Sequence, residues 1–294
     1  MSLKALAESL GLSKTTVSRA LAGYEDVSAE TRARVKAAAD AVGYRPNPTA
    51  LRLTRGSTDT VAIVVPSVSG ERRYEPLFVD LAASIGARLA EDGLDLTLTA
   101  SRPDEDELAV YQRLVEGKRA DAIVLVRTRL EDERVAYLAG KGFPFVCFGR
   151  TDADVPYAFV DGDGHGAFRD ATRHLIALGH RRFAILGAPS GTFSTRDRLS
   201  GHLAALAEAG LAPGPSLDGP SNEETGAALA GAALAGSPRP TALLCGTDRI
   251  AFGASLAVRA AGLAPGREVS IVGHDNLPVT AFTETPLSSM ELPL

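Results

Sequence analysis

Residues 13–19 read Ser-Lys-Thr-Thr-Val-Ser-Arg, and the chemistry they could do is recognition of a nucleic-acid duplex. On a helix beginning at Lys14, the side chains of Lys14, Thr15 and Ser18 share the face opposite Val17 and Leu21. One cation and two hydroxyls could then reach base edges in a major groove, with Lys14 the natural reader of guanine. Arg19, the hydroxyls of Ser13 and Thr16 and the helix N-terminus suit phosphates, which set register without reading sequence.

A second polar group is spread along the chain, mostly behind apolar, strand-like runs. Arg150 follows FVCFG, Asp161 and Asp163 follow YAFV, Thr247 and Asp248 follow ALLCG, Asp275 and Asn276 follow SIVGH, and Arg198 stands at an expected helix start. Carboxylates and guanidiniums that converge can hold a hydroxyl-rich ligand such as a sugar, and Tyr74 and Phe78, behind the first strand, could stack on its apolar face. Asp163 and Asp248 have an alternative role as helix N-caps, and Arg198 an alternative role in an ion pair. Catalysis has less support. Gly162, Gly164 and Gly166 in DGDGHGA give G-x-G-x-G in mid-chain rather than a dinucleotide fingerprint, and the His274-Asp275 pair has no nucleophile in a motif such as G-x-S-x-G. The chain is expected to be no enzyme and to use no cofactor or metal.

These residues must be positioned by two kinds of element. Up to Gly43 the pattern is three short amphipathic helices, SLKALAESL, KTTVSRALA and AETRARVKAAADAVG, with Leu3, Leu6, Ala7 and Leu10 at helical spacing. Gly11 closes the first, Ser13 and Ser28 cap the second and third, and Gly43 ends the third. Tyr44 to Pro48 carries two prolines and reads as a linker. From Asp59 onward about eight apolar strands alternate with helices in two groups, which predicts two α/β lobes with parallel sheets buried on both faces. A ligand site is expected in the cleft beyond the carboxyl ends of the strands. The expected division is a helix-turn-helix headpiece over 1–46, a linker over 47–58 and a two-lobed domain over 59–294.

Charge agrees with this division. The net charge of the 294 residues is −5, but residues 1–58 hold nine Lys or Arg against five Asp or Glu, a local +4 that leaves −9 for the rest. A basic arm on an acidic body is the expected footprint of DNA binding. Cys147 and Cys245 lie in apolar runs and are expected to be buried free thiols. With no membrane-length apolar run and no signal-peptide pattern, the expected location is the cytoplasm.

The segment LKALAESLGLSKTTVSRALAGYEDVSAETRARVKAAADAVGYRPN resembles the headpiece of the lactose-repressor (LacI/GalR) family of transcriptional regulators. The similarity continues through VAIVVP, LGHRRFAIL, the TD-x-x-A-x-G segment and VGHDN. The resemblance implies an effector domain with the fold of periplasmic sugar-binding proteins. It implies a hinge helix from Asn47 to Arg55 that forms on DNA, with Leu53 inserted in the minor groove and the small residues Ala50 and Thr54 allowing close approach. It also implies effector contacts at Arg198, Thr247 and Asp275, although Thr247 stands where many members carry Asn. One recognition helix per subunit calls for a homodimer on a pseudo-palindromic double-stranded operator. Family members continue past the PLSSMELP-like segment, so the chain is expected to stop short of full family length. The expected function is a DNA-binding regulator, a repressor, controlled by a sugar. The alternatives are a nucleobase effector or a sugar-binding protein that binds no DNA.

Overall fold

The computed structural model describes residues 2–45, 56–65, 76–102, 105–187 and 190–292. The expected hinge residues Asn47, Ala50 and Leu53, and the stacking candidate Tyr74, lie outside these residues.

The headpiece is α1 (Leu3–Leu10), α2 (Lys14–Leu21) and α3 (Ala29–Ala41). Each begins at a serine whose hydroxyl accepts from the amide three residues on: Ser2 from Ala5 at 3.2 Å, Ser13 from Thr16 at 3.0 Å and Ser28 from Thr31 at 3.2 Å. Gly11, at φ 66°, takes the left-handed conformation that ends α1 and turns the chain into α2. Leu6, Ala7, Val17, Ala20, Val27, Val35 and Ala39 form the shared core.

The first lobe comprises β1 (Thr60–Val65), α4 (Pro76–Glu91), β2 (Asp95–Ala100), α5 (Glu107–Glu116), β3 (Ala122–Leu125), α6 (Glu133–Gly140), β4 (Phe145–Phe148) and β5 (Ala158–Val160). Its sheet is parallel in the order β2-β1-β3-β4-β5. The second lobe comprises α7 (Gly164–Ala177), β6 (Phe183–Gly187), α8 (Phe193–Glu208), β7 (Ser216–Asp218), α9 (Glu223–Leu234), β8 (Ala242–Cys245), α10 (Asp248–Ala260), β9 (Ser270–His274), a 3-10 turn (Pro278–Phe282) and β10 (Ser288–Met290). Its order is β10-β9-β8-β6-β7, again parallel. Central strands are the most apolar: all of β8 is buried, as are Ala62, Ile63 and Val64 of β1. At roughly 1.5–3 kcal/mol for each large aliphatic side chain removed from water, these strands hold each lobe together. Cys147 and Cys245 are buried and free.

Three expectations are corrected. Among the described residues ten strands form rather than about eight, because β7 (SLD) and β10 (SSM) are three residues each and lack the apolar run that marks the others. The edge strands β2 and β5 are not buried on both faces; Leu98 and Phe159 are each half exposed. Helix α8 starts at Phe193 rather than Arg198, since the Thr192 hydroxyl accepts from the Thr195 amide at 3.3 Å and supplies the N-cap.

In the second lobe, α9 packs against α10 through glycine. A Cβ on Gly253 would collide with the Glu223 carbonyl oxygen, so only glycine permits this approach. No described helix is long and apolar enough to cross a membrane.

Candidate functional site

The recognition surface begins at α2. Lys14 and Thr15 are exposed and Ser18 is half exposed, while Val17 and Ala20 turn into the headpiece core. The Ser13 hydroxyl is engaged in capping and lies 2.9 Å from that of Thr16. Arg19 is held differently from a free phosphate ligand. It pairs with Asp26 through Nε at 3.1 Å and Nη2 at 2.7 Å, and its guanidinium stacks 4.6 Å from the Tyr24 ring centroid. A phosphate at Arg19 would therefore share the guanidinium with Asp26. Two arginines that the sequence did not single out brace the headpiece: Arg32 donates to the Tyr24 carbonyl at 2.8 Å and the Val27 carbonyl at 3.2 Å, and Arg34 to that of Leu10 at 2.6 Å.

The other polar group gathers where the lobes meet, at the carboxyl ends of the strands. Arg150, in the loop after β4, donates through Nε to Asp161 at 2.8 Å and through Nη2 to Asp197 of α8 at 3.4 Å, crossing from one lobe to the other. The Asp161 bond, foremost, holds the guanidinium firmly charged. Arg196 forms a bidentate pair with Asp152, and the Leu130 amide donates to the Gly191 carbonyl at 2.9 Å. Arg198, in the second turn of α8, donates to the Gly246 carbonyl at 2.7 Å. It lines a small pocket with Phe168, Gly187, Thr195 and Asp218.

Each remaining candidate has a definite place. Asp163 is an N-cap, accepting from the Gly166 amide at 2.7 Å. Thr247 caps α10, accepting from the Ile250 amide at 3.3 Å, and its hydroxyl lies 2.8 Å from that of Ser221. Asp275, in the left-handed region at φ 109°, pairs with His274 Nδ1 at 2.8 Å; Asn276 follows at φ 51°. Burial holds the His274 imidazole below its ordinary pKa despite that contact.

Two candidates are corrected. Phe78 packs against the core of the first lobe beside Val61, Ile63 and Leu81, because it lies on the inner side of α4. Asp248 does not face the cleft and is not the N-cap of α10. It is fully buried, accepting from the Leu277 amide at 2.7 Å and the Ser289 hydroxyl at 2.5 Å, and so ties α10 to the segments around β9 and β10. Burial pushes its carboxyl up from 3.8 to about 6. A carboxyl raised on folding stabilises the native state fully below its unfolded pKa, and that contribution is lost as pH rises through the folded value. Asp248→Asn keeps one acceptor for Leu277 and offers Ser289 a donor. Relative to wild type it is expected to gain on the order of 2–3 kcal/mol above pH 6 and nothing below pH 4. Urea denaturation across that range is the check; parallel pH profiles would refute it.

Three residues at the cleft were missed by the sequence reading. Phe193 is flanked by the guanidiniums of Arg150 at 4.5 Å and Arg196 at 4.8 Å from its ring centroid. The Thr192 cap was the available signal, since Ser or Thr ahead of a helix marks its start. Asp197 belongs to the same misplaced helix start. Asp218, whose carboxyl is raised by partial burial, ends the short β7 and had no sequence signal.

Residues 2–47 match the family model for bacterial regulatory proteins of the lacI family, and residues 58–294 that for periplasmic binding proteins and the sugar binding domain of the LacI family. The HTH-type transcriptional regulator AglR of Rhizobium meliloti is 41% identical over 282 residues, covering 94% of this chain and 78% of the relative. RafR of Escherichia coli, also an HTH-type transcriptional regulator, is 39% identical over 292 residues, covering 99% and 86%. Among solved structures, a CelR–cellobiose complex superimposes with a TM-score of 0.74 at 30% identity, covering 100% of this chain and 88% of the other. The Lac repressor dimer bound to operator and an anti-inducer shares the fold, with a TM-score of 0.81 at 24% identity over 99% and 87%.

Proposed function

The chain belongs to the LacI family of bacterial transcriptional regulators, and on that premise we propose that it is a homodimeric repressor whose hold on a pseudo-palindromic operator is released by a sugar. The observation that carries this reading is the pairing, in one chain, of an outward-facing Lys14-Thr15-Ser18 surface with a polar cleft between two lobes. The likeness to a regulator solved with cellobiose, and the match to the sugar binding domain of the LacI family, support a sugar effector. Arg150, Asp161, Arg198 and Asp275 are the side chains best placed to meet its hydroxyls. The Asp163 and Thr247 side chains would assist only while capping their helices. The headpiece over 1–46, the linker over 47–58, Asn47 to Arg55 as a hinge and Leu53 as its groove wedge remain part of this reading.

Dimerisation has a surface to use. Leu256 of α10 is 62% exposed, and Val279 and Phe282 of the 3-10 turn are 49% and 85% exposed. Arg259, one turn beyond Leu256, reaches Glu284 and, at 3.4 Å, the Thr285 hydroxyl, so the helix is tied to the segment that follows the turn. Exposed large apolar side chains on this helix and this turn are candidates for an interaction site, and a second copy is the occupant that two-fold operators require.

Effector coupling follows from the cleft. A ligand between Arg150 and α8 changes the contacts that span the lobes, and it shifts the lobe equilibrium by its differential affinity for the two arrangements. Thermal unfolding against a panel containing cellobiose and other disaccharides, monosaccharides, sugar phosphates and nucleobases tests this reading, because a ligand at 100 times its Kd adds about 2.7 kcal/mol. A shift confined to sugars is expected; a shift with a purine alone would replace the sugar by a nucleobase.

The recognition surface makes a separate prediction. Lys14→Ala is expected to cost about 1–3 kcal/mol on the preferred duplex and to relax base preference at one position. Arg19→Ala should weaken binding to all sequences alike. Binding to a mutated-site panel separates them, and identical profiles would remove the division of roles.

A further inference from the structure

The chain enters the first lobe through a carboxylate. Asp121 stands immediately before β3, and residues 57–59 stand immediately before β1, its sheet neighbour. The Thr58 amide donates to both Asp121 oxygens at 2.9 Å, the Asp59 amide to Oδ2 at 2.7 Å and the Ser57 hydroxyl to Oδ2 at 2.8 Å. The Ser57 hydroxyl also lies 2.7 Å from Asp59 Oδ1. Asp59 is in the left-handed region at φ 52°, and Gly56 at φ 70°. The chain is thus hooked round the carboxylate before it runs into the sheet. The hook joins the starts of three strands, since the Asp59 carbonyl accepts from Asp95 at 2.9 Å and the Thr60 carbonyl from Asp121 at 2.8 Å.

We propose that Asp121 is a positioning residue for DNA binding: its carboxylate clamps residues 57–59 to the end of the lobe opposite the cleft and so sets where the DNA-binding segment leaves the effector domain. The proposal rests on the regulator reading above. Three considerations carry it. The carboxylate gathers donors from three consecutive residues, more than the start of a strand requires. Burial opposes its charge, yet the bonds from Thr58, Ser57 and Asp59 together keep its carboxyl below the ordinary value, as expected of a charged acceptor built for amides. Finally, β1 and β3 lead directly from the clamp to the cleft end of the sheet, and their Ile63 and Ile123 are fully buried. A close-packed strand pair moves as a body, so a shift of the lobe at the cleft reaches the clamp with little loss.

An unfastened hook would leave the lobes folded but the headpieces misdirected. The test uses the full chain and, as probe, the duplex that the wild-type protein recovers from a random-sequence pool. In Asp121→Asn one oxygen becomes an N–H facing N–H donors. This variant is expected to exchange the Thr58 and Asp59 amide hydrogens about tenfold faster and to bind the duplex about tenfold more weakly, at an unchanged unfolding midpoint. Asp121→Glu keeps a charged acceptor and should restore part of both losses. Faster exchange with duplex affinity kept within about twofold would overturn the positioning role. So would affinity and unfolding midpoint falling together with no rescue by glutamate, which is the mark of a residue that only stabilises the lobe. Unchanged exchange would overturn the clamp itself. If the wild-type chain recovers no duplex at all, the regulator reading fails, and the exchange measurement still decides whether the clamp exists.

Discussion

Replacing Arg134 with alanine is expected to destabilise the first lobe by about 3–5 kcal/mol, the usual cost of removing one member of a buried ion pair. The side chain is 1% exposed and its partner Asp132 is 0% exposed. Arg134 donates to both Asp132 oxygens, at 2.8 Å and 2.6 Å, also pairs with Glu107, and reaches the Arg127 carbonyl at 2.9 Å. Burial alone would push the Asp132 carboxyl up, but the hydrogen bonds and charge of Arg134 hold it below its ordinary value. Without the guanidinium that carboxylate is stranded in a low-dielectric site. It must then take up a proton or draw in water. Asp132 also receives the Arg129 amide at 3.0 Å and the Arg134 amide at 3.1 Å, so the loop that donates from Leu130 to Gly191 across the lobes loosens with it. Arg134→Lys keeps the charge but not the planar fork, and should lose an intermediate amount. Chemical denaturation of the three proteins measures this; a loss below about 1 kcal/mol for the alanine variant would mean that water replaces the network readily.

Phe282→Lys is expected to convert the proposed dimer to monomers and to weaken operator binding by about 10²–10⁴-fold, the range lost when two linked binding events become independent. The side chain is 85% exposed, so the substitution removes little intrachain packing and the monomer should remain folded. The second copy would meet a charge it must desolvate, a penalty that a buried apolar interface cannot offset. Sedimentation velocity reports the assembly state and titration of a two-half-site duplex the affinity. A substituted protein that still sediments as a dimer would place the pairing surface on another face.

How much was legible beforehand differs between the two ends of the molecule. The headpiece was legible almost residue by residue because its determinants are local: serine caps three residues from the amides they bind, one left-handed glycine, and apolar spacing that leaves Lys14 and Thr15 on the outer face. The alternation of strands and helices likewise announced two parallel-sheet lobes, since strands buried on both faces must be nearly continuous in apolar residues. Side-chain direction was not legible. Asp248 and Asp275 both follow apolar strands, yet Asp248 turns inward to Leu277 and Ser289 while Asp275 stays with His274 at the strand end. The hold of Asp26 on Arg19, the flanking of Phe193 by Arg150 and Arg196, and the clamp of Asp121 on residues 57–59 depend on contacts that the order of residues does not display. Periodicity and capping act within a few residues, so the amino-acid order determined which elements form and which faces they bury. Only the packing of one element on another decided which charges meet, and therefore which polar residues remain for a ligand.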